Sequence, residues 1–456
     1  MSQCPKVPRI IVDGVTPPAA ARYTPAGKFM YTEISKCRCC ANPDLDSLLD
    51  LGIQALTGVF PRNRDDIVPL GPLHLVKCRE EGRSDTCGLV QLRHSYDAQC
   101  LYGSNYGYRS GLNASMVAHL KGKARKIKER ISLAPGDLVL DIGSNDGTLL
   151  RAMDQPGLTL VGMDPTGDNF RQYYAPHVHL ICDFFSSARF RREFGEKKAK
   201  AVTSIAMFYD LEAPLAFMAQ VAEVIDDDGI WVSEQSYLPT MLQMNSYDTI
   251  CHEHLEYYTL KQLRFMAERV GLKILDVELN DINGGSFSVT MAKAASAHRG
   301  NVGVVENMLA EESRRGLGSQ AVYGLFRERV LRHRDELRRF VRGMADSGQK
   351  LFGYGASTKG NVLLQFCGIS PRELPFIAEV NADKFGCFTP RTGIPIISEE
   401  EARALGPDAF LVLPWHFRNY IVSRERRFLE SGGKLVFPLP FLETVTGEGL
   451  SAAAGT

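Results

Sequence analysis

The stretch Cys251-His252-Glu253-His254-Leu255-Glu256-Tyr257-Tyr258 gathers a thiol, two imidazoles, two carboxylates and two phenols into eight residues. Three chemistries fit such a set. Cys251 and His254 lie three apart and would share a face of a helix, where they could ligate a metal. That reading needs a third ligand and lacks the HExxH spacing of helix-borne zinc sites. In a long loop the same side chains could also be hydrogen-bonded structure and no more. The third chemistry is acid–base work, and the composition favours it. Histidine titrates near neutrality, and neighbouring carboxylates and phenols fix its tautomer and orientation.

A second chemical cluster stands at the front. Cys37 and Cys40 form a CxxC knuckle, and Cys78 and Cys87 follow, nine apart with an insertion between them. Four thiolates in two close pairs suit a structural zinc with no open coordination position. Cys39 could replace Cys37 or Cys40, and His74 is near enough to compete; free cysteines without metal remain the alternative. A module of this size buries little core, so a metal would supply folding energy.

The elements that must position these groups read as follows. After a basic helical stretch, an apolar strand over 138–140 runs into Asp141, Gly143 and Gly147, a DxGxxxG turn opening a helix. Glycines there allow a tight turn and close backbone approach to a ligand. Further apolar runs end at Asp164, Asp183 and Tyr209–Asp210, and a fifth spans 229–237. Five such runs alternating with helical segments predict a doubly wound α/β sheet. Cys251–Tyr258 follows the fifth run by about fifteen residues, on the carboxyl edge where open α/β sheets bind ligands. A helix over 261–271 and strands over 272–279 and 284–292 come next. In the last third, Gly353, Gly355 and Gly360 flank Ser357, Thr358 and Lys359 at a strand-to-helix turn. Amides at a helix N-terminus, hydroxyls and a lysine suit a diphosphate, although a plain structural turn would look similar. Strands over 374–381, 408–415 and 432–439 predict a second parallel sheet. His416 and Arg418 are candidates for the cleft or for structure.

At 456 residues, two or three domains are expected. Lysine plus arginine and aspartate plus glutamate number 53 each, so charge gives no reason to expect nucleic acid or a membrane surface as partner. No run has the length of a transmembrane helix, and residues 1–18 lack the signal-peptide pattern, so the cytoplasm is expected. Eleven cysteines in that compartment point to thiols or metal ligands rather than disulfides.

The strand and acid order resembles the S-adenosylmethionine (SAM) methyltransferase fold, a seven-stranded Rossmann-like sheet. That resemblance implies a cofactor site of Asp141, Gly143, Asn145 and Gly147, with Asp164 at the ribose and Asp183 near the adenine; a Rossmann-like domain binding NAD or nothing is the alternative. From about 33 to 445 the chain further resembles the C-methyltransferases of keto-deoxysugar nucleotides, which make branched sugars of antibiotics and bacterial glycans. The resemblance rests on the cysteine module, "YGYRSGLNASM", "LDIGSNDGTLL", "EQSYLPTMLQMNSYDTICHEHLEYY", "NDINGGSFSV" and "FGYGASTKGN". It implies methylation of carbon 3 beside a 4-keto group, on a dTDP- or GDP-linked sugar, by a monomer or homodimer. His254 is the implied base, Glu253 a neighbour of the keto oxygen or of the base, and Tyr108 a substrate-side phenol. Family members can carry tyrosine at position 251, where this chain has cysteine, which leaves the role of holding the enolate open to Cys251, Tyr247 or Tyr257. Tyr106, Asn283, Ser357, Thr358 and Lys359 are implied on the substrate, and Cys37, Cys40, Cys78 and Cys87 on a structural zinc. The expected division is a loose extension (1–32), zinc module (33–110), SAM domain (111–295), C-terminal Rossmann-like substrate domain (296–445) and tail (446–456). An O- or N-methyltransferase, or a binding protein with a vestigial methyltransferase fold, would share much of this pattern.

Overall fold

Near-continuous apolar runs such as Leu138–Ile142, buried at all five positions, belong in strands covered on both faces. A computed structural model describes residues 31–80, 83, 85–97, 101 and 108–448; Tyr106, most of the expected extension and most of the expected tail lie outside the described residues. In chain order the strands are β1 (Tyr31–Glu33), β2 (Leu45–Ala55), β3 (Leu70–Cys78), β4 (Val90–Leu92) and β5 (His94–Tyr96). Then come β6 (Leu138–Ile142), β7 (Thr159–Met163), β8 (His179–Ile181), β9 (Ala199–Ile205) and β10 (Ile225–Ser236). They are followed by β11 (Glu256–Tyr257), β12 (Leu272–Asn280) and β13 (Ser286–Lys293). The last third adds β14 (Leu351–Tyr354), β15 (Ile377–Glu379), β16 (Ile396–Ser398), β17 (Ala409–Val412), β18 (Lys434–Phe437) and β19 (Glu443–Val445).

The fold is α/β, as expected. The central sheet has seven strands in the order β12-β13-β10-β9-β6-β7-β8, with β13 antiparallel to both its neighbours. Strand order reverses between β6 and β9, and a ligand crevice opens at such a switch point. The C-terminal sheet has the order β16-β15-β14-β17-β18-β19 and is parallel except for β19.

The front sheet is less conventional. Its order is β11-β4-β3-β2, so the Cys251–Tyr258 stretch supplies an edge strand to the cysteine module. Glu256 pairs with Gln91 and Tyr257 with Val90. Packing follows the same plan. One core joins Cys37, Cys78 and Cys87 to Leu140, Trp231 and Phe287 of the central sheet. Another joins Leu73, Val90 and Leu242 to Phe352 and Phe410 of the C-terminal sheet. The helix Gln320–Asp346 buries Tyr323, Phe326, Val330, His333, Leu337 and Val341, an i, i+3, i+4 stripe. Among the described residues, no helix is long and apolar enough to cross a membrane.

Candidate active site

The first part of the site is the loop after β6. Gly143, Asn145 and Gly147 all have positive φ, at +71°, +49° and +70°. A Cβ on Gly147 would sit 2.9 Å from the Tyr174 ring, whose hydroxyl donates to the Asn145 carbonyl at 2.7 Å. Gly147→Ala would combine left-handed strain of roughly 1–2 kcal/mol with that clash. It is expected to weaken SAM binding about tenfold or more by calorimetry. Asn145 tolerates its conformation because three bonds hold it. Its Nδ2 donates to the Tyr108 carbonyl (3.0 Å), its Oδ1 accepts from Ser110 N (2.9 Å), and its N donates to Asp164 Oδ2 (2.8 Å).

Two acids flank the loop. Asp141 is buried, and burial lifts its carboxyl to about 7, against the Thr203 hydroxyl donating at 2.6 Å. Asp164 Oδ1 accepts from Thr166 N and Oγ1 at 2.7 and 2.6 Å. With Asn145 N on Oδ2, three of the carboxylate's roughly four acceptor sites are filled, leaving room for one further donor. Asp183 is exposed at the end of β8, 3.8 Å from Arg189. Sequence reasoning passed over Asp146, which accepts from Gly111 N at 2.9 Å and from Thr148 Oγ1 at 2.6 Å. Its signal was available: Asp146 sits inside the turn it braces.

The second part is the Cys251–Tyr258 stretch. His254 Nδ1 lies 2.8 Å from the Thr249 carbonyl, which can only accept, so Nδ1 carries the proton and Nε2 the lone pair. The ring also packs against Tyr209 with centroids 4.4 Å apart. Burial, and then the Lys359 charge, push its pKa down to about 4. The imidazole is therefore neutral at physiological pH, with an available basic nitrogen. Glu253 is largely buried, its Oε2 has no hydrogen-bond partner, and burial raises its pKa. His252 is fully buried and reaches the Gly71 carbonyl through Nε2 at 3.2 Å. Cys251 is 1% exposed and burial pushes its thiol well up, so it is a neutral packing group and no thiolate.

The phenols divide. The Tyr247 hydroxyl donates to His333 Nδ1 at 2.9 Å inside the core, and Tyr257 reaches the Thr249 carbonyl at 3.5 Å. Tyr108 is half exposed beside the glycine loop. Tyr247→Phe would orphan His333 Nδ1, costing about 1–3 kcal/mol. Thermal unfolding should register that loss while turnover stays within twofold.

The third part crosses from the C-terminal sheet. Ser357 caps its own helix by accepting from Gly360 N at 3.0 Å, so its hydroxyl has a local partner. Lys359 does not follow it outward: its Nζ donates to the Asn283 carbonyl at 2.6 Å. Thr358 Oγ1 and Glu253 Oε1 both border Gly58, at 3.9 and 2.9 Å from where its Cβ would stand. Arg418 is engaged by Glu443 at 2.6 and 2.9 Å, a structural pair. His416 is largely buried, and burial pushes it down to about 3.

Cys37, Cys40, Cys78 and Cys87 bring their Sγ atoms within 4.8 Å of one another and could hold a metal ion. Cys39 and His74 are outside that group, His74 being bonded to Ser47 at 2.7 Å. Among the described residues no other such cluster forms, and Cys251 and His254 belong to none.

A seven-stranded sheet with one reversed strand, closing on a left-handed glycine loop and two buried acids, is the architecture of a SAM-dependent methyltransferase. Family models match along the chain: a methyltransferase domain over 116–277, a C-methyltransferase C-terminal domain over 281–440 and a zinc binding domain over 37–102. The C-methyltransferase NovU of Streptomyces niveus is 34% identical over 424 residues, 91% of this chain and 98% of that protein. The chain belongs to this C-methyltransferase family and is a SAM-dependent C-methyltransferase. Among solved structures, the CcbJ methyltransferase of Streptomyces caelestis is 14% identical with TM-score 0.31, covering 39% of this chain and 90% of its own. The plantazolicin methyltransferase BpumL is 13% identical with TM-score 0.31, over 38% and 82%.

Proposed function

We propose that the enzyme methylates carbon 3 of a nucleotide-linked 4-keto-deoxysugar, with His254 as the base. The observation that carries this reading is the His254 tautomer: Nδ1–H held by the Thr249 carbonyl, Nε2 bearing the lone pair in a buried setting. A carbon becomes a nucleophile only when its proton is removed and the charge passes to an adjacent carbonyl. That is the chemistry a neutral, oriented imidazole serves, and base catalysis contributes roughly 10²–10⁴-fold. An O- or N-methyltransferase has less need of it, since its acceptor already holds a lone pair.

In this reading Asp141, Asn145 and Asp164 orient the cofactor from the β6 and β7 ends, and Asp183 faces the adenine side. Bound SAM supplies the electrophilic methyl group. Glu253, Tyr108, Asn283 and Thr358 line the sugar nucleotide, with the substrate between the SAM domain and the C-terminal domain (111–295 and 296–445). Tyr247, Ser357 and Cys251 are structural. The four cysteines hold a structural zinc. The geometry fits: tetrahedral Zn–S bonds near 2.3 Å set sulfurs about 3.8 Å apart, and the Cys37–Cys87 and Cys40–Cys78 pairs stand at 3.5 Å.

The test is proton exchange. In deuterated water without SAM, the enzyme should exchange the C3 proton of one or more dTDP- or GDP-linked 4-keto-deoxysugars, read by mass spectrometry. Methyl transfer to oxygen or nitrogen, with no exchange at carbon, would overturn the proposal.

A further inference from the structure

Lys359 crosses between the two Rossmann-like sheets to reach Asn283, 76 residues away in sequence. It is largely buried, and an ammonium has three donors of which the Asn283 carbonyl takes one. Around it stand polar groups whose needs the chain leaves unmet. Asp248 Oδ2 accepts from the Trp415 indole at 2.7 Å, but Oδ1 is buried without a partner. Glu253 Oε2 and His416 Nδ1 are orphaned in the same way. Buried polar atoms are almost always paired, so several orphans around one cation mark the place of a missing polar ligand.

The groups lie near one another in the fold. Lys359 acts electrostatically on His254 and His416 and is itself acted on by Asp248 and Cys251. A Cβ on Gly284 would stand 3.8 Å from His416 and 3.9 Å from Trp415, which places the Asn283 turn beside them. Thr358, one residue before Lys359, borders Gly58 together with Glu253. The base and the ammonium therefore address the same space from opposite sheets.

We infer that Lys359 is a catalytic residue that donates to the carbonyl oxygen of the substrate, rather than a ligand of its diphosphate; this rests on the C-methylation chemistry proposed above. The step balances within the substrate and two side chains. The C3–H bond breaks and its proton goes to His254 Nε2. The C–H electron pair forms the C3–C4 double bond, and the carbonyl π pair moves onto oxygen beside the Lys359 ammonium. A cation fixed near a base weakens that base, so its presence next to His254 would be a poor arrangement unless it stabilises the product anion more. An enolate oxygen at hydrogen-bond range satisfies that condition, because preorganised charge in a water-poor site acts at high strength. A diphosphate held at the same point would bring two negative charges beside Glu253 and Asp248.

The experiment uses the full-length enzyme, zinc content verified, with Lys359→Met and Lys359→Arg. SAM-independent C3 exchange is measured on a dTDP-linked 4-keto-6-deoxyhexose, and dTDP binding alone by calorimetry. Lys359→Met should lower the exchange kcat by about 10²–10³-fold, the loss typical of one oxyanion donor. dTDP affinity should stay within threefold, and Lys359→Arg should recover part of the rate. SAM affinity equal to wild type confirms that the variant is folded. Exchange kcat within twofold of wild type, or a loss confined to KM with weakened dTDP binding, overturns the inference and makes Lys359 a diphosphate ligand. A wild-type enzyme that exchanges no 4-keto sugar overturns the functional proposal and the inference with it.

Discussion

Replacing His254 by Asn should lower C3 exchange to about 1% of wild type or below, a loss of roughly 10²–10⁴-fold. Asparagine can still donate through its amide to the Thr249 carbonyl, which now bonds Nδ1 at 2.8 Å, so the fold and SAM affinity should persist. What disappears is the lone pair. The wild-type pH profile provides a second readout. A histidine in water loses its proton near 6.5, but burial and Lys359 place that event near 4 here. Exchange should therefore hold nearly level from pH 8 to 5.5 and fall only toward 4. An acid limb centred at 6.5 would show that the imidazole is not desolvated as described, and full activity in His254→Asn would remove it from the mechanism. Stability declines over a higher pH window than exchange does. His252 and His254 both have folded pKa values depressed to about 4. Their contribution is full above 6.5 and is lost as pH falls from 6.5 toward 4, because the unfolded chain takes up protons first. Denaturant melts at pH 7 and 5 should show this decline, separately from the level exchange rate.

What the residues revealed in advance follows the range of the interactions. Asp141, Gly143 and Gly147 were readable because a strand, a left-handed turn and a helix start occupy ten consecutive positions. Strand limits were less so. The run expected to start at Gly229 begins at Ile225, since Asp227 and Asp228 are neutralised by Lys293 and Lys200 on the adjoining strands at 2.6 and 2.7 Å. The run expected to end at Asp183 yields only His179–Ile181, at the edge of the sheet. β11 was missed because two residues are too few to show an alternating pattern. Lys359 was read as a phosphate ligand from its glycine- and hydroxyl-rich turn. Its partner, Asn283, lies on another sheet, and no local pattern encodes such a contact. Tyr247 likewise looked like a site phenol, and only the packing of the helix Gln320–Asp346 brings His333 to its hydroxyl.

β11 also sets the effect expected from losing the metal. A structural zinc distant from the proposed base would be a folding aid alone, but here the sheet of the cysteine module includes β11 of the Cys251–Tyr258 stretch. Leu92 N donates to the Leu255 carbonyl at 2.8 Å, one residue past His254. Arg38, inside the Cys37–Cys40 knuckle, donates to the Leu92 and His94 carbonyls at 2.6 and 3.0 Å and stands 3.8 Å from Glu256. Gln262 Nε2 donates to the Cys87 carbonyl at 2.8 Å, fixing the start of the next helix to the last cysteine. Releasing the four sulfurs frees Arg38, β4 and Cys87 together, and with them the register that aims His254. Small misplacement of a base is costly, about 10²-fold for 1 Å. Chelation, or Cys87→Ser, should therefore cut C3 exchange by more than about 10²-fold. SAM binding should fall far less, since Asp141, Asn145 and Asp164 hang on β6 and β7. Metal analysis should find close to one zinc per chain before treatment and none after. A zinc-free enzyme that exchanges C3 at the native rate would show that the module does not position the base. Equal loss of SAM binding and exchange would mean that the cysteines support the whole central core, where they pack against Leu140 and Trp231.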